Sequence, residues 1–334
     1  MAGVLIVALT FGIHLIRASN GSAPDFATAI ISSSSQEKLV EIPSGANGIQ
    51  IARILTAAGV VKSSAAFFGV AVADTRSTSI APGTHRLTIG ISSRQALAQL
   101  LDSKRMPNLL NIFEGEWNSE IFSDLKGRGF SQQEIDSALG KVTLPAGYKS
   151  LEGMLFPAQY NFAKESTLPQ IFQAMVDRFV TESKAAKLNV GLKGLSPQDL
   201  LIIASIIQAE GDTKDFPKIS RVIRNRLAIS MPLQLDSTVH YVKKTRGQVF
   251  LSTQATLTDS KYNTYKHYGL PPGPIGNPGR AAIDGAMAPA VGDWLFFITV
   301  SPGDTRFTKS NEEFLQWKSL YEKNLRAGAF EVKK

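Results

Sequence analysis

Two periods run through the apolar positions of this chain. Spacings of three and four residues predict helices over Ile49 to Ala58, Ser93 to Leu101, Thr167 to Lys184, Asp215 to Ile229 and Glu312 to Leu325, with a further one near Arg280 to Ala288. In Thr167 to Lys184 the buried stripe is Ile171, Phe172, Met175, Phe179 and Val180. In Asp215 to Ile229 it is Ile219, Val222, Ile223 and Leu227, which leaves Arg221, Arg224, Asn225 and Arg226 off that stripe. Strict alternation predicts strands at Leu39 to Ile42, His85 to Ile89 and Trp294 to Val300. It also predicts a strand from Leu233 to Tyr241, whose second face presents Gln234, Asp236, Thr238 and His240 together. The mixture reads as an α+β fold.

A shift of 70 residues brings out an internal echo. Ile42, Gly45, Ile51, Leu55 and Gly59 fall on Ile112, Gly115, Ile121, Leu125 and Gly129, so a strand, turn, helix and glycine stop recur. The texture changes again at Lys149. The expected organisation is an apolar start over residues 1–17, a Ser- and Ala-rich linker over 18–37, a small module over 38–105, a second small module or connector over 106–148, and a large domain over 149–330.

The strongest local signal is Ser196 to Gly211, SPQDLLIIASIIQAEG. Ser196 is placed to cap a helix, Pro197 fits its first turn, Asp199 completes a capping box and Gly211 is the stop. Glu210 then shares a helix face with Ile203, Ile206 and Ile207, at the negative end of the helix dipole. Desolvation and dipole both disfavour the carboxylate, so the group is expected to keep its proton near neutral pH, as a general acid must. A glutamate in a last helical turn is more often simply solvated, and the rest of the chain has to decide the matter.

Two further stretches are consistent with a polyhydroxylated ligand. One is the amide, carboxylate and hydroxyl face of Gln234, Asp236 and Thr238. The other is Tyr262, Asn263, Thr264 and Tyr265 running into GLPPGPIGNPG from Gly269 to Gly279, a loop stiffened by proline whose flanking aromatics and amides suit sugar rings. Glu152, in KSLEGMLFPAQYNF, is a third candidate.

Composition narrows the classes. Cysteine is absent, which removes disulfides and thiolate chemistry, and the four histidines lack metal-ligand spacing. No P-loop, dinucleotide fingerprint or G-x-S-x-G elbow is present. A net charge of +8 favours anionic surroundings such as acidic lipid or a cell-wall polymer. No nucleic-acid-binding signature accompanies it, so nucleic acid is not an expected partner. Ala2 to Ile16 is nearly all apolar and reads as an anchor helix with its cytoplasmic flank outside this chain, in preference to a cleaved signal. Arg17 alone would put the body of the protein in the cytoplasm.

Taken together, LEGMLFP from Leu151, ASIIQAEG from Ala204, RNRL from Arg224, LQLDSTVHY from Leu233, YNTY from Tyr262 and GLPPGPIGNPG resemble the YceG-like endolytic murein transglycosylases. The resemblance implies a bacterial inner-membrane protein with one anchor helix, a LysM-like region and an extracytoplasmic catalytic domain over 149–330, against the Arg17 signal. It implies a lyase that cleaves the β-1,4 bond from N-acetylmuramic acid to N-acetylglucosamine in nascent glycan strands, leaves 1,6-anhydro ends and needs no cofactor or metal. Peptidoglycan synthases are its implied partners.

The family's catalytic Glu falls on Glu210. Gln208 stands where relatives often have Glu, and Ala158 and Gln159 replace Asp and Thr of the family block, while Glu152 and Tyr160 keep the pattern. Substrate contacts are expected from Glu152, Gln234, Asp236, Thr238, Tyr262, Asn263 and Tyr265. Two alternatives stay open: a hydrolase of the same bond with Asp236 or Glu152 as base, and a non-enzymatic glycan-binding scaffold.

Overall fold

Asn47, Ser63 and Ser92 start the three α-helices found among the described residues of the first of two compact units into which the chain divides, the first reaching Leu110 and taking in Gln159–Ser166. The structure, a computed structural model, describes residues 23–330 except 33, 44, 163–165 and 247–251. The anchor expected over 1–17 and the start of the linker lie outside the described residues. Among those described, no helix is long and apolar enough to cross a membrane.

In the first unit, β1 (Glu37–Ile42) leads through a turn to α1 (Gly48–Ala57) and α2 (Ser64–Ala73). β2 (Gly83–Thr88) then pairs antiparallel with β1, Glu37 opposite Thr88 and Ile42 opposite Gly83, and α3 (Ser93–Leu100) follows. Side chains of Asn47 and Ser92 accept the N–H three residues on, while Gln50 and Gln95 reach back to complete capping boxes. Ile42, Leu55, Val60, Phe67, Leu87, Ile91 and Leu97 form the core. The pattern missed α2, because SAAFFGVAVA is apolar all round and carries no stripe. β3 (Leu109–Asn111) pairs with β4 (Gln159–Asn161) as the chain leaves the unit.

The second unit comprises Asn111–Ala158 and the residues from Thr167 onward. It opens with α4 (Asn118–Gly127) and α5 (Gln132–Leu139). α4 stands 70 positions after α1 at both ends, and the turns repeat with it. Gly45 and Gly115 have φ of +77° and +78°, and Gly59 and Gly129 end the helices at +77° and +100°. The N–H groups of Val60 and Phe130 return to the carbonyls of Leu55 and Leu125 in the same way.

α6 (Leu168–Ala185), α7 (Pro197–Glu210) and α8 (Phe216–Ala228) follow. After them come α9 (Asp236–Lys243), α10 (Arg280–Met287), the antiparallel hairpin of β5 (Phe296–Ser301) and β6 (Asp304–Thr308), and α11 (Asn311–Arg326) against β5. α7 is the centre: every residue from Leu200 to Ile207 is buried, and α8 and α10 pack on it. The mixed α+β class is thus observed.

The strand expected over Leu233 to Tyr241 is instead the helix α9. Gln234 adopts φ +47°, which breaks the extended chain, and Leu235, Thr238 and Val239 are buried at helical spacing. In so short a run the same apolar positions satisfy either period, and the packing decides.

Candidate active site

Glu210 ends α7 as the sequence predicts. Ser196 Oγ accepts the Asp199 N–H at 3.2 Å and Asp199 returns to the Ser196 N–H at 2.9 Å, so the start of α7 is fixed. At the other end Gly211 is extended, and a Cβ there would lie 2.4 Å from Ile219 Cδ1, so a larger residue would force that side chain to move. The chain turns away at once and leaves the half-buried Glu210 carboxyl over Ile203, Ile206 and Ile207, all fully buried.

That carboxyl meets the start of α9. Ser237 N donates to Glu210 Oε1 at 3.3 Å. Burial pushes the Glu210 pKa up to about 7 from 4.5, and the neighbouring Asp236 charge adds to the rise. The Ser237 hydroxyl and N–H, and the Arg226 guanidinium, favour the ionised form and oppose it. Burial is therefore the leading cause. Asp236 Oδ1 accepts a short hydrogen bond from the Tyr265 hydroxyl, whose own pKa is raised by burial and by that contact.

One turn further along α9, Tyr241 donates to Glu152 Oε2 at 3.0 Å, while Asn118 N, at the start of α4, donates to Glu152 Oε1 at 3.1 Å. Burial raises this second carboxyl to about 7 as well, against the pull of both donors. Tyr241 packs edge-on to Trp117 at 5.8 Å and tilted to Tyr262 at 5.2 Å. Arg246 lies 4.3 Å over the Trp117 ring and pairs with Glu120. α9 thus carries two carboxyl centres, Glu210 with Asp236 and Tyr265 near its start, and Glu152 with the aromatic cluster a turn later.

The other predicted contacts divide. Tyr262 belongs to the Glu152 cluster, and the Gln234 side chain is exposed. Thr238 is fully buried, donating to Leu235 O at 2.7 Å and bonded to Thr264 Oγ1 at 3.0 Å. Asn263 is also fully buried and gives its amide protons to the carbonyls of Thr256 and Thr258. Thr238 thus ties the YNTY turn to α9, while Asn263 ties it to the stretch just before it, and both side chains are committed within the fold.

The motif blocks meet through bonds that spacing could not reveal. Asn277 Oδ1 accepts from Leu155 N at 2.9 Å, and Nδ2 donates to Glu116 O and Asn118 Oδ1, each at 2.8 Å. Gln208 Oε1 takes the Gly279 N–H at 2.9 Å and Ser205 Oγ takes the Ile275 N–H at 3.0 Å. At Gly276, φ +151°, a Cβ would lie 2.7 Å from Gly115 O.

In RNRL the side chains bind backbone carbonyls, most of them on or after α10. Arg224 reaches Ala286 O, Asn225 reaches Gly292 O and Trp294 O, and Arg226 reaches Leu295 O and Leu233 O. Among the described residues no group of three or more His, Asp or Glu side chains converges to hold a metal.

The profile of the YceG-like family matches residues 40–319. A Bacillus subtilis protein named endolytic murein transglycosylase is 39% identical over 173 residues, 51% of this chain and 48% of its own. One of the same name from Streptococcus pneumoniae strain D39 is 29% identical over 312 residues, 82% of this chain and 56% of its own. The chain therefore spans about half the length of the curated relatives it matches. The crystal structure of a putative YceG-like protein from Listeria monocytogenes shares the fold at a TM-score of 0.55 and 27% identity, over 84% of this chain and 98% of that one. With most of its length matched by the profile, and with the motif blocks gathered around Glu210 and Glu152, this chain belongs to the YceG-like family.

Proposed function

We propose that this protein is an endolytic murein lytic transglycosylase in which Glu210 is the single acid and base. The observation that carries the reading is the half-buried Glu210 carboxyl, held as an acid to about pH 7 beside Asp236. Its proton passes to the glycosidic oxygen as the bond from C1 of N-acetylmuramic acid to that oxygen breaks. The carboxylate left behind faces the start of α9, whose N–H groups favour the new charge. It then takes the proton of the sugar's C6 hydroxyl as O6 bonds to C1, so the anhydro ring closes, Glu210 is an acid again and no water is consumed. The Asp236 carboxylate, oriented by Tyr265, stands where it favours a developing oxocarbenium charge.

The names of the relatives support murein as substrate. In this reading residues 1–17 anchor the chain in the bacterial inner membrane, the body faces the cell wall, the first unit is a LysM-like glycan-binding module, and synthases of the same strands are neighbours. The apolar run of Ala2 to Ile16 and the net charge of +8 fit such a setting.

A second reading keeps the substrate and makes Asp236 the base that activates water, and it is favoured by that carboxylate's position beside Glu210. Digestion of uncrosslinked murein strands, followed by mass spectrometry, separates the two. Anhydro ends support the lytic reaction, and ends that have gained a water contradict it.

A further inference from the structure

Beyond Glu152, the surface of the second unit opens into a groove of about 510 Å³. Most of its wall is the half-exposed side chains of Phe122, Leu139, Val142, Leu144 and Leu151, with Asn118, Ser119 and Glu152 along one edge and Lys244 beside it. Both Glu152 oxygens already accept hydrogen bonds, from Asn118 N and the Tyr241 hydroxyl. Lys244, just past the end of α9, is exposed, and among the described residues it has no ion-pair partner. The groove therefore offers a largely apolar trough with a short polar edge and one uncommitted cation.

A sugar ring fits the apolar wall poorly, because hydroxyls turned toward Phe122, Leu139, Val142, Leu144 and Leu151 would lose water without finding partners, at a cost of about 1–3 kcal/mol each. A short peptide with methyl side chains and a carboxylate fits it well. Distance agrees: Lys244 follows Ser237, at Glu210, by seven positions, so at 1.5 Å per residue its backbone lies roughly 10 Å along the α9 axis from that of Ser237. Three extended peptide residues, at about 3.3 Å each, span that length.

We propose that this groove binds the peptide stem carried on the lactyl group of N-acetylmuramic acid, with small apolar side chains in the trough and a stem carboxylate on Lys244. The inference rests on the proposed substrate and adds to it a preference for strands that still bear stems.

The test uses the full chain carrying Glu210→Gln, which cannot turn over, and murein tetrasaccharides of one length with and without tripeptide stems. Titration calorimetry is expected to show the stem-bearing probe binding about tenfold more tightly. Lys244→Glu on the same background should abolish that preference by weakening the stem-bearing probe. Equal affinity for the two probes, a preference that survives Lys244→Glu, or binding of neither probe overturns the proposal. Strand digestion by the unsubstituted protein reports separately, so a protein that cleaves murein with no stem preference sinks the groove and leaves the reaction standing.

Discussion

Ser237 gives its backbone N–H to Glu210 Oε1 at 3.3 Å, so the acid at the end of one helix faces the start of another. The end of α7 disfavours the carboxylate and the start of α9 favours it, which leaves burial to set the balance at about 7. Proline is tolerated in the first turn of a helix and lacks the N–H. Ser237→Pro is therefore expected to fold, and to move the alkaline limb of kcat/KM upward by about half to one pH unit. The substitution removes the Ser237 hydroxyl together with the N–H, so an unmoved limb would show that neither has a say in the titration.

Both half-buried carboxyls tie stability to pH. With folded pKa values of about 7 against 4.5 for the free side chain, Glu210 and Glu152 hold extra protons in the folded state between those values. Their contribution is complete below pH 4.5 and is lost as pH rises through 7. Urea unfolding at pH 5 and pH 8 should show the protein weaker at pH 8, and Glu210→Gln or Glu152→Gln should each shrink the difference by on the order of 2 kcal/mol.

Asp236→Asn separates the two chemistries. Under the lytic mechanism it removes a charge that favours the transition state, so kcat falls about 10- to 100-fold and anhydro products persist. If Asp236 were the base for water, turnover would be lost altogether.

Asn277 knots the proline-rich loop to Leu155, Glu116 and Asn118. Asn277→Ala should cost about 3 kcal/mol by chemical denaturation, since it leaves several buried groups unpaired. Because the same knot sets the start of α4, where Asn118 N holds Glu152, the variant should also raise KM.

How much of this was legible in the sequence depends on range. Glu210 could be found because cap, apolar face and glycine stop all lie within SPQDLLIIASIIQAEG, and the 70-residue echo could be found because α1 and α4 rest on the same local glycine turns. Thr238 and Asn263 have the right chemistry for sugar yet spend it inside the fold, and only tertiary contacts reveal that. Trp117, Tyr241 and Arg246 carried no signal, since their value lies in meeting one another across more than a hundred residues. Spacing left Asn225 and Arg226 undecided between a site and a cap, and the structure gives RNRL the carbonyls of Ala286, Gly292, Trp294 and Leu295, 62 to 69 residues away.

The most direct measurement is the titration of the Glu210 side-chain carboxyl by carbon NMR in the full chain, assigned by comparison with Glu210→Gln. A midpoint near 7 is expected, with the acid form dominant below it. A midpoint near 4.5 would leave a carboxylate where the reaction needs an acid, and would contradict the mechanism.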